Sequence, residues 1–225
     1  MNSIIVVAVV TSMFFLSVLL NKRNSTENPD NFDPNQDDSS LEEDFKDILA
    51  FIPLPEIQKL INNYFKYDKQ LNDTRSFIND QKKFIFQALI EIPETWMFLK
   101  ILQNLGLQND HWGAKIKDFW TNLPKFEEER PPVASGGVTV MINKVLKRIP
   151  REELHIFLRD KKYYSMSFRM FLQTLRSPIF TDLCEKIEEN AVLARHYYWA
   201  KQEEIEVILV VELLKKFYVY LTEEL

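Results

Sequence analysis

Ile48-Leu49-Ala50-Phe51-Ile52-Pro53 is answered 97 residues later by Val145-Leu146-Lys147-Arg148-Ile149-Pro150. At the same offset Ile57, Leu60 and Ile61 fall on Leu154, Phe157 and Leu158, while Leu71 and Ile78 fall on Phe168 and Leu175. Towards the ends the offset becomes 98: Trp112, Ile116, Phe119, Trp120 and Leu123 fall on Val210, Leu214, Phe217, Tyr218 and Leu221. Apolar matches alone arise whenever two amphipathic helices of equal length are compared. The shared Ile-Pro anchor and the nearly constant offset point instead to an internal duplication, with a period longer than that of the common solenoid repeats.

Working outward from these anchors, the apolar spacing is helical. Ile57, Leu60, Ile61, Tyr64 and Phe65 follow i, i+3, i+4, i+7, i+8, the pattern of one helix face. Phe168, Phe171, Leu172 and Leu175 repeat its start, as do Phe180, Leu183, Cys184 and Ile187. No segment shows a clean strand alternation bounded by turn residues. The run Ile205 to Val211 is ambiguous in composition, but it continues into a helical period and is read as helix. Pro53, Pro55, Pro93, Pro150 and Pro178 stand where helices start or stop. The expectation is an all-α protein: two tandem repeats of about six short helices each, packed as one helical shell around an apolar interior. Repeat 1 spans 45–123 and repeat 2 spans 139–225. The Pro- and Gly-containing stretch 124–138 links them.

Before the repeats lie two segments of different character. Residues 4–20, IIVVAVVTSMFFLSVLL, are uncharged and of a length between a signal core and a spanning helix. Residues 1–20 are read as a cleaved secretory signal. The alternative is an anchor: no Lys or Arg precedes the run, no small-x-small site follows it, and Lys22-Arg23 lies after it. Residues 21–44 are polar and acidic, too poor in apolar groups to offset the entropy of ordering, and are read as a disordered spacer. Asn24 and Asn72 head N-x-[ST] triplets and are candidate glycosylation sites, which fits secretion.

Charge and composition exclude several classes of function. The formal net charge is −5, but eight acidic residues lie between Asn24 and Asp44. Of 28 basic and 33 acidic residues overall, 26 and 25 remain once that stretch and Lys22-Arg23 are set aside. A near-neutral body carries no nucleic-acid footprint. Four glycines leave no room for a Gly-rich phosphate cradle. The single cysteine, Cys184, cannot form an internal disulfide and reads as a small buried apolar residue. His111, His155 and His196 lack metal-ligand spacing. The first two read as a helix-start residue and a flank residue, and a Cys184–His196 pair has no spacing to recommend it. There is no G-x-S-x-G elbow, and Glu127-Glu128-Glu129-Arg130 reads as a solvated charge run. No catalytic residue, metal ligand or cofactor site is expected. Tyr163-Tyr164 and the run His196-Tyr197-Tyr198-Trp199 read first as core aromatics. The alternative is the mouth of a cavity, where a ring meets apolar tails and a hydroxyl meets headgroups.

Four local signatures, in order, resemble the insect allergen repeat family, which includes group 1 cockroach allergens and midgut microvillar proteins. They are Ile48 to Leu54, Ile90-Glu91-Ile92-Pro93-Glu94, Leu102-Gln103-Asn104-Leu105-Gly106-Leu107, and the linker from Pro131-Pro132 through Gly136-Gly137. The resemblance covers Phe45 to Leu225. It implies about twelve helices around a cavity that carries fatty acids or phospholipids, secretion into the gut lumen or to the microvillar surface, and no catalytic residues. One branch of the family redirects glucosinolate breakdown towards nitriles. The residues expected to line the cavity are, in the first repeat, Ile57, Leu60, Ile61, Phe77, Phe98, Leu102, Phe119 and Trp120. In the second they are Leu154, Phe157, Phe171, Leu175, Leu183, Ile187, Leu214 and Phe217. Lipid is then the expected partner, with a membrane involved only if residues 4–20 are retained; the alternative in that case is a membrane-anchored structural or surface protein of the gut epithelium without a ligand. The second repeat departs from the pattern: Lys161 and Lys162 replace Tyr64 and Phe65, the turn proline is missing around Glu189 to Ala191, and Leu-Gly-Leu is replaced near Gln202 to Ile205.

Overall fold

The computed structural model describes residues 39–108, 121–128, 134–206, 212, 216 and 218–221. Among them are nine helices and no strand: α1 (Leu41–Ala50), α2 (Leu54–Tyr67), α3 (Lys69–Ile90), α4 (Pro93–Asn104), α5 (Gly137–Leu146), α6 (Arg151–Tyr164), α7 (Met166–Leu175), α8 (Pro178–Glu189) and α9 (Ala191–Gln202). The all-α expectation holds. No helix of the described residues is long and apolar enough to cross a membrane, and residues 4–20 lie outside them.

The helix limits recur at the offsets of the sequence. Adding 97 to α2 gives the limits of α6, and adding 98 to α4 gives those of α9. One residue joins α2 to α3, Asp68, and one joins α6 to α7, Ser165. Each is a C-cap and an N-cap at once, with φ −95°, ψ 114° in the first and φ −98°, ψ 121° in the second. Their side chains cap the following helix in the same way, Asp68 accepting from Leu71 N and Ser165 from Phe168 N. The halves differ along the third helix. α3 is continuous for 22 residues, whereas its counterpart breaks at Ser177-Pro178 into α7 and α8. The missing turn proline before α9 does not shift the helix, because Asn190 accepts from Val192 N and Leu193 N and starts it by capping instead.

α1 begins earlier than composition suggests. Ser40 and Glu43 form a reciprocal capping box, and Leu41 is completely buried. Residues 41–44, the end of the acidic stretch read as spacer, therefore belong to the helical body. Acidic composition predicted disorder, but three acids in a first turn also suit the positive end of a helix dipole.

The first helix of each half packs on the other half. α1 lies against α6 and α7, and α5 lies against α2 and α3. The far ends pair the same way, α4 on α8 and α9 on α3. Aromatic pairs cross this boundary: Phe45 meets Phe171 edge-on at 5.4 Å, Phe51 meets Phe157 at 4.4 Å, and Phe98 meets Phe180 at 5.2 Å. The buried apolar side chains consequently form one cluster drawn from both halves.

Candidate functional site

Of the residues expected to line a cavity, all those described except Phe77 belong to that shared cluster or pack against it. Ile57, Ile61, Phe98 and Leu102 from the first half are buried, as are Phe171, Leu175, Leu183 and Ile187 from the second. Leu60, Leu154 and Phe157 are partly buried and pack against the same cluster, and Phe77 is half-buried. Phe119, Trp120, Leu214 and Phe217 lie outside the described residues, as do His111 and Asn24. Asn72 is half-buried on α3.

Polar groups enter this interior at few places. Tyr64 is 2 % exposed, and its hydroxyl has no hydrogen-bond partner among the described residues. The ammonium of Lys144 lies 5.1 Å from its ring. At the equivalent place 97 residues on, Lys161 reaches into the boundary between α1 and α6. It donates to Asp44, 2.9 Å away, and to Asp47. Asp44 is completely buried and also accepts from the hydroxyls of Ser165 and Ser39. Burial opposes the charge on Lys161, but its hydrogen bonds to Asp47 and Asp44 outweigh it and hold the pKa above the usual lysine value. The lysine that breaks the apolar stripe in the sequence is thus matched by a carboxylate from the other half. The match was missed because Asp44 was assigned to a spacer; the Ser40-x-x-Glu43 pattern is the signal that places it on a helix.

A second polar junction seats α5. Asp68 accepts from Gly137 N at 2.8 Å, and Glu206 accepts from Thr139 N at 2.8 Å and from its hydroxyl. Two carboxylates from different elements thus satisfy the helix N-terminus, whose N–H groups have no partners within the helix. Gly137 has φ +66°, and a Cβ there would lie 2.5 Å from Gln70 Oε1, so a side chain at this position is strained and displaces the ends of Gln70 and Glu206. Further along the boundary His155 Nδ1 pairs with the hydroxyl of Tyr220 at 2.7 Å, and the Tyr218 hydroxyl donates to Leu175 O at 2.9 Å.

Other readings resolve in different ways. Cys184 is buried, as expected, and burial followed by Glu188 and Glu185 raises its pKa to about 12, which keeps the thiol protonated. Tyr163 and Tyr164 are not core: each is 73 % exposed. Tyr163 stands two residues past Lys161, about 200° around the helix from the stripe that Leu154, Phe157, Leu158 and Lys161 define. Tyr164 is the last residue of α6. In α9, His196 is buried and Tyr197 packs on the core, while Tyr198 and Trp199 are exposed. His196 lies between the rings of Phe84 and Trp199.

This arrangement offers an apolar interior drawn from both halves, with a buried phenol that has no hydrogen-bond partner among the described residues and with the Asp44–Lys161 pair at the boundary. Comparison with known proteins agrees with the architecture. The chain is 19% identical over 184 residues to "Protein G12" of Anopheles gambiae, covering 80% of this chain and 87% of that relative. The profile of the family described as "Insect allergen related repeat, nitrile-specifier detoxification" matches residues 40–211, beginning at the residue that caps α1. The chain belongs to the insect allergen related repeat family.

Proposed function

We propose that this protein is a secreted, non-catalytic carrier that encloses fatty acids or phospholipids between its two halves. The observation that supports the reading is Tyr64: a buried hydroxyl without a hydrogen-bond partner among the described residues, within an apolar cluster drawn from both halves. Buried polar groups are nearly always paired, so an orphan of this kind marks a place where a further group is accommodated. A carboxylate or phosphate headgroup accepts from such a phenol, while each acyl CH₂ buried in the interior contributes about 0.8 kcal/mol. Native mass spectrometry with lipid extraction, on protein made in its own secretory host, tests the reading. Retained acyl lipid, with weaker retention in Tyr64→Phe, is expected. Apo protein that also refuses added fatty acids overturns it. Sequencing of the mature N-terminus tests secretion: a start beyond Leu20 supports it, and an intact residue 4–20 segment supports the anchored alternative.

A second reading rests on the family's own description, which includes nitrile-specifier detoxification. The apolar interior would then receive a glucosinolate breakdown product and bias its outcome towards a nitrile. Its test is the nitrile fraction formed by a myrosinase with and without the protein. An unchanged fraction removes it.

A further inference from the structure

The duplicated fold contains its own control. α6, Ser165 and α7 repeat α2, Asp68 and the start of α3 at an offset of 97 residues. In the first half the outward face of this corner is polar: Lys66, Lys69, Asn72, Asp73 and Ser76 occupy it, Lys69 pairs with Asp73 at 2.7 Å and Lys66 pairs with Glu127 at 3.0 Å. In the second half the same positions hold Tyr163, Met166, Arg169, Met170 and Gln173. The fold accepts polar residues at these five positions, so it does not dictate Tyr163, Met166 or Met170; Tyr164 is answered by Tyr67, which packs against the core in the first half and is exposed in the second. Tyr163 and Tyr164 are 73 % exposed, and Met166 and Met170 also face outward while the opposite face of α7 is buried. The patch is held together: Arg169 donates to Tyr163 O at 3.4 Å and contacts Met166 Sδ at 3.2 Å.

Its charge is predominantly basic. From 159 to 176 the basic residues are Arg159, Lys161, Lys162, Arg169 and Arg176, against one acid, Asp160. Lys161 is taken up by Asp44 and Asp47, and Glu43 of the neighbouring α1 is engaged in its capping box. What faces outward is a cluster of two phenols and two thioethers with arginines beside it, in a chain whose net charge is −5. Rings that carry a polar tip settle at the headgroup level of a bilayer, flexible thioethers adapt to apolar surroundings, and arginine pairs with phosphate.

We propose that the outward face of the α6–α7 corner docks on an anionic lipid surface. This face is separate from the interior, and the proposal does not depend on what the interior carries. The test is co-sedimentation of the full chain with vesicles of phosphatidylcholine alone and of phosphatidylcholine with phosphatidylserine. Binding to the anionic vesicles is expected, falling with added salt because each basic residue near the surface adds to the attraction. The variant Tyr163→Ser/Arg169→Asn/Met170→Asp takes two of its three residues from the equivalent first-half positions, so folding is preserved and circular dichroism checks it. Its partition onto anionic vesicles is expected to drop about ten-fold or more, while Tyr198→Ser, exposed elsewhere, leaves it unchanged. Three results overturn the proposal: no preference for anionic vesicles, equal binding by the variant, or a dimer in sedimentation velocity that the variant abolishes without any vesicle binding in the parent.

Discussion

Asp44 and Lys161 meet across the boundary between the two halves, the carboxylate completely buried and the ammonium 2.9 Å from it. The equivalent positions in the other half are Met141 and Tyr64, so the pseudo-equivalent corners use opposite chemistry. Beside them Asp47 and Lys144 are likewise equivalent: one bonds the lysine, the other lies over the tyrosine ring. A buried pair of this kind adds little net stability over an apolar replacement, but removing one partner strands the other charge. Lys161→Ala is therefore expected to lower stability by about 3–5 kcal/mol. The double variant Asp44→Met/Lys161→Tyr, which copies the first-half chemistry, is expected to regain most of that loss. Urea unfolding of the three proteins checks this, and a double variant no better than the single one would refute the equivalence.

Asp68 joins two jobs at one residue, capping α3 and holding the N-terminus of α5. Asp68→Ala removes a cap and a buried cross-half hydrogen bond, an expected loss of about 2–3 kcal/mol. Gly137→Ala forces a Cβ into contact with Gln70 and strains a left-handed residue, costing about 1–3 kcal/mol. Thermal unfolding reads both. If either variant melts with the parent, α5 is not seated through this junction.

Cys184 should be silent in the folded protein. With its pKa at about 12 against an ordinary 9.0, little thiolate exists at pH 8. Alkylation by iodoacetamide is expected to be slower than in urea by on the order of a hundred-fold or more. The linkage has a sign: the folded pKa is raised, so the contribution to stability is complete below the unfolded value and is lost as pH rises towards 12. Similar alkylation rates in buffer and in urea would show that the thiol is accessible.

His196 gives the opposite slope. Burial, then Arg195, lowers its pKa in the folded state. The unfolded chain therefore binds a proton first as pH falls, so stability declines on acidification. The urea midpoint is expected to drop between about pH 7.5 and about pH 5.5, and to drop less in His196→Phe. An identical pH profile in that variant would assign the effect to other groups.

Much of the fold was legible in the residues themselves. The Ile-Pro anchors and the 97-to-98 offset determined the helical class and the recurrence of helix limits, because stripes, prolines and caps are local features. Of the twelve expected lining residues that the structure describes, eight are buried, since an apolar stripe has few places to go. Pairing across the halves was not legible. Nothing local says that α1 packs on α6 and α7, and so nothing local says that Lys161 meets Asp44 rather than water. For the same reason Tyr163 and Tyr164 read as core until the structure placed both outside, Tyr163 by its angle on α6 and Tyr164 at the end of that helix. The sequence by itself determined which helices form and roughly where they end. The tertiary structure alone decided which charges are buried and which aromatics face outward, because both depend on partners about a hundred residues away and on the side of the helix that those partners leave uncovered.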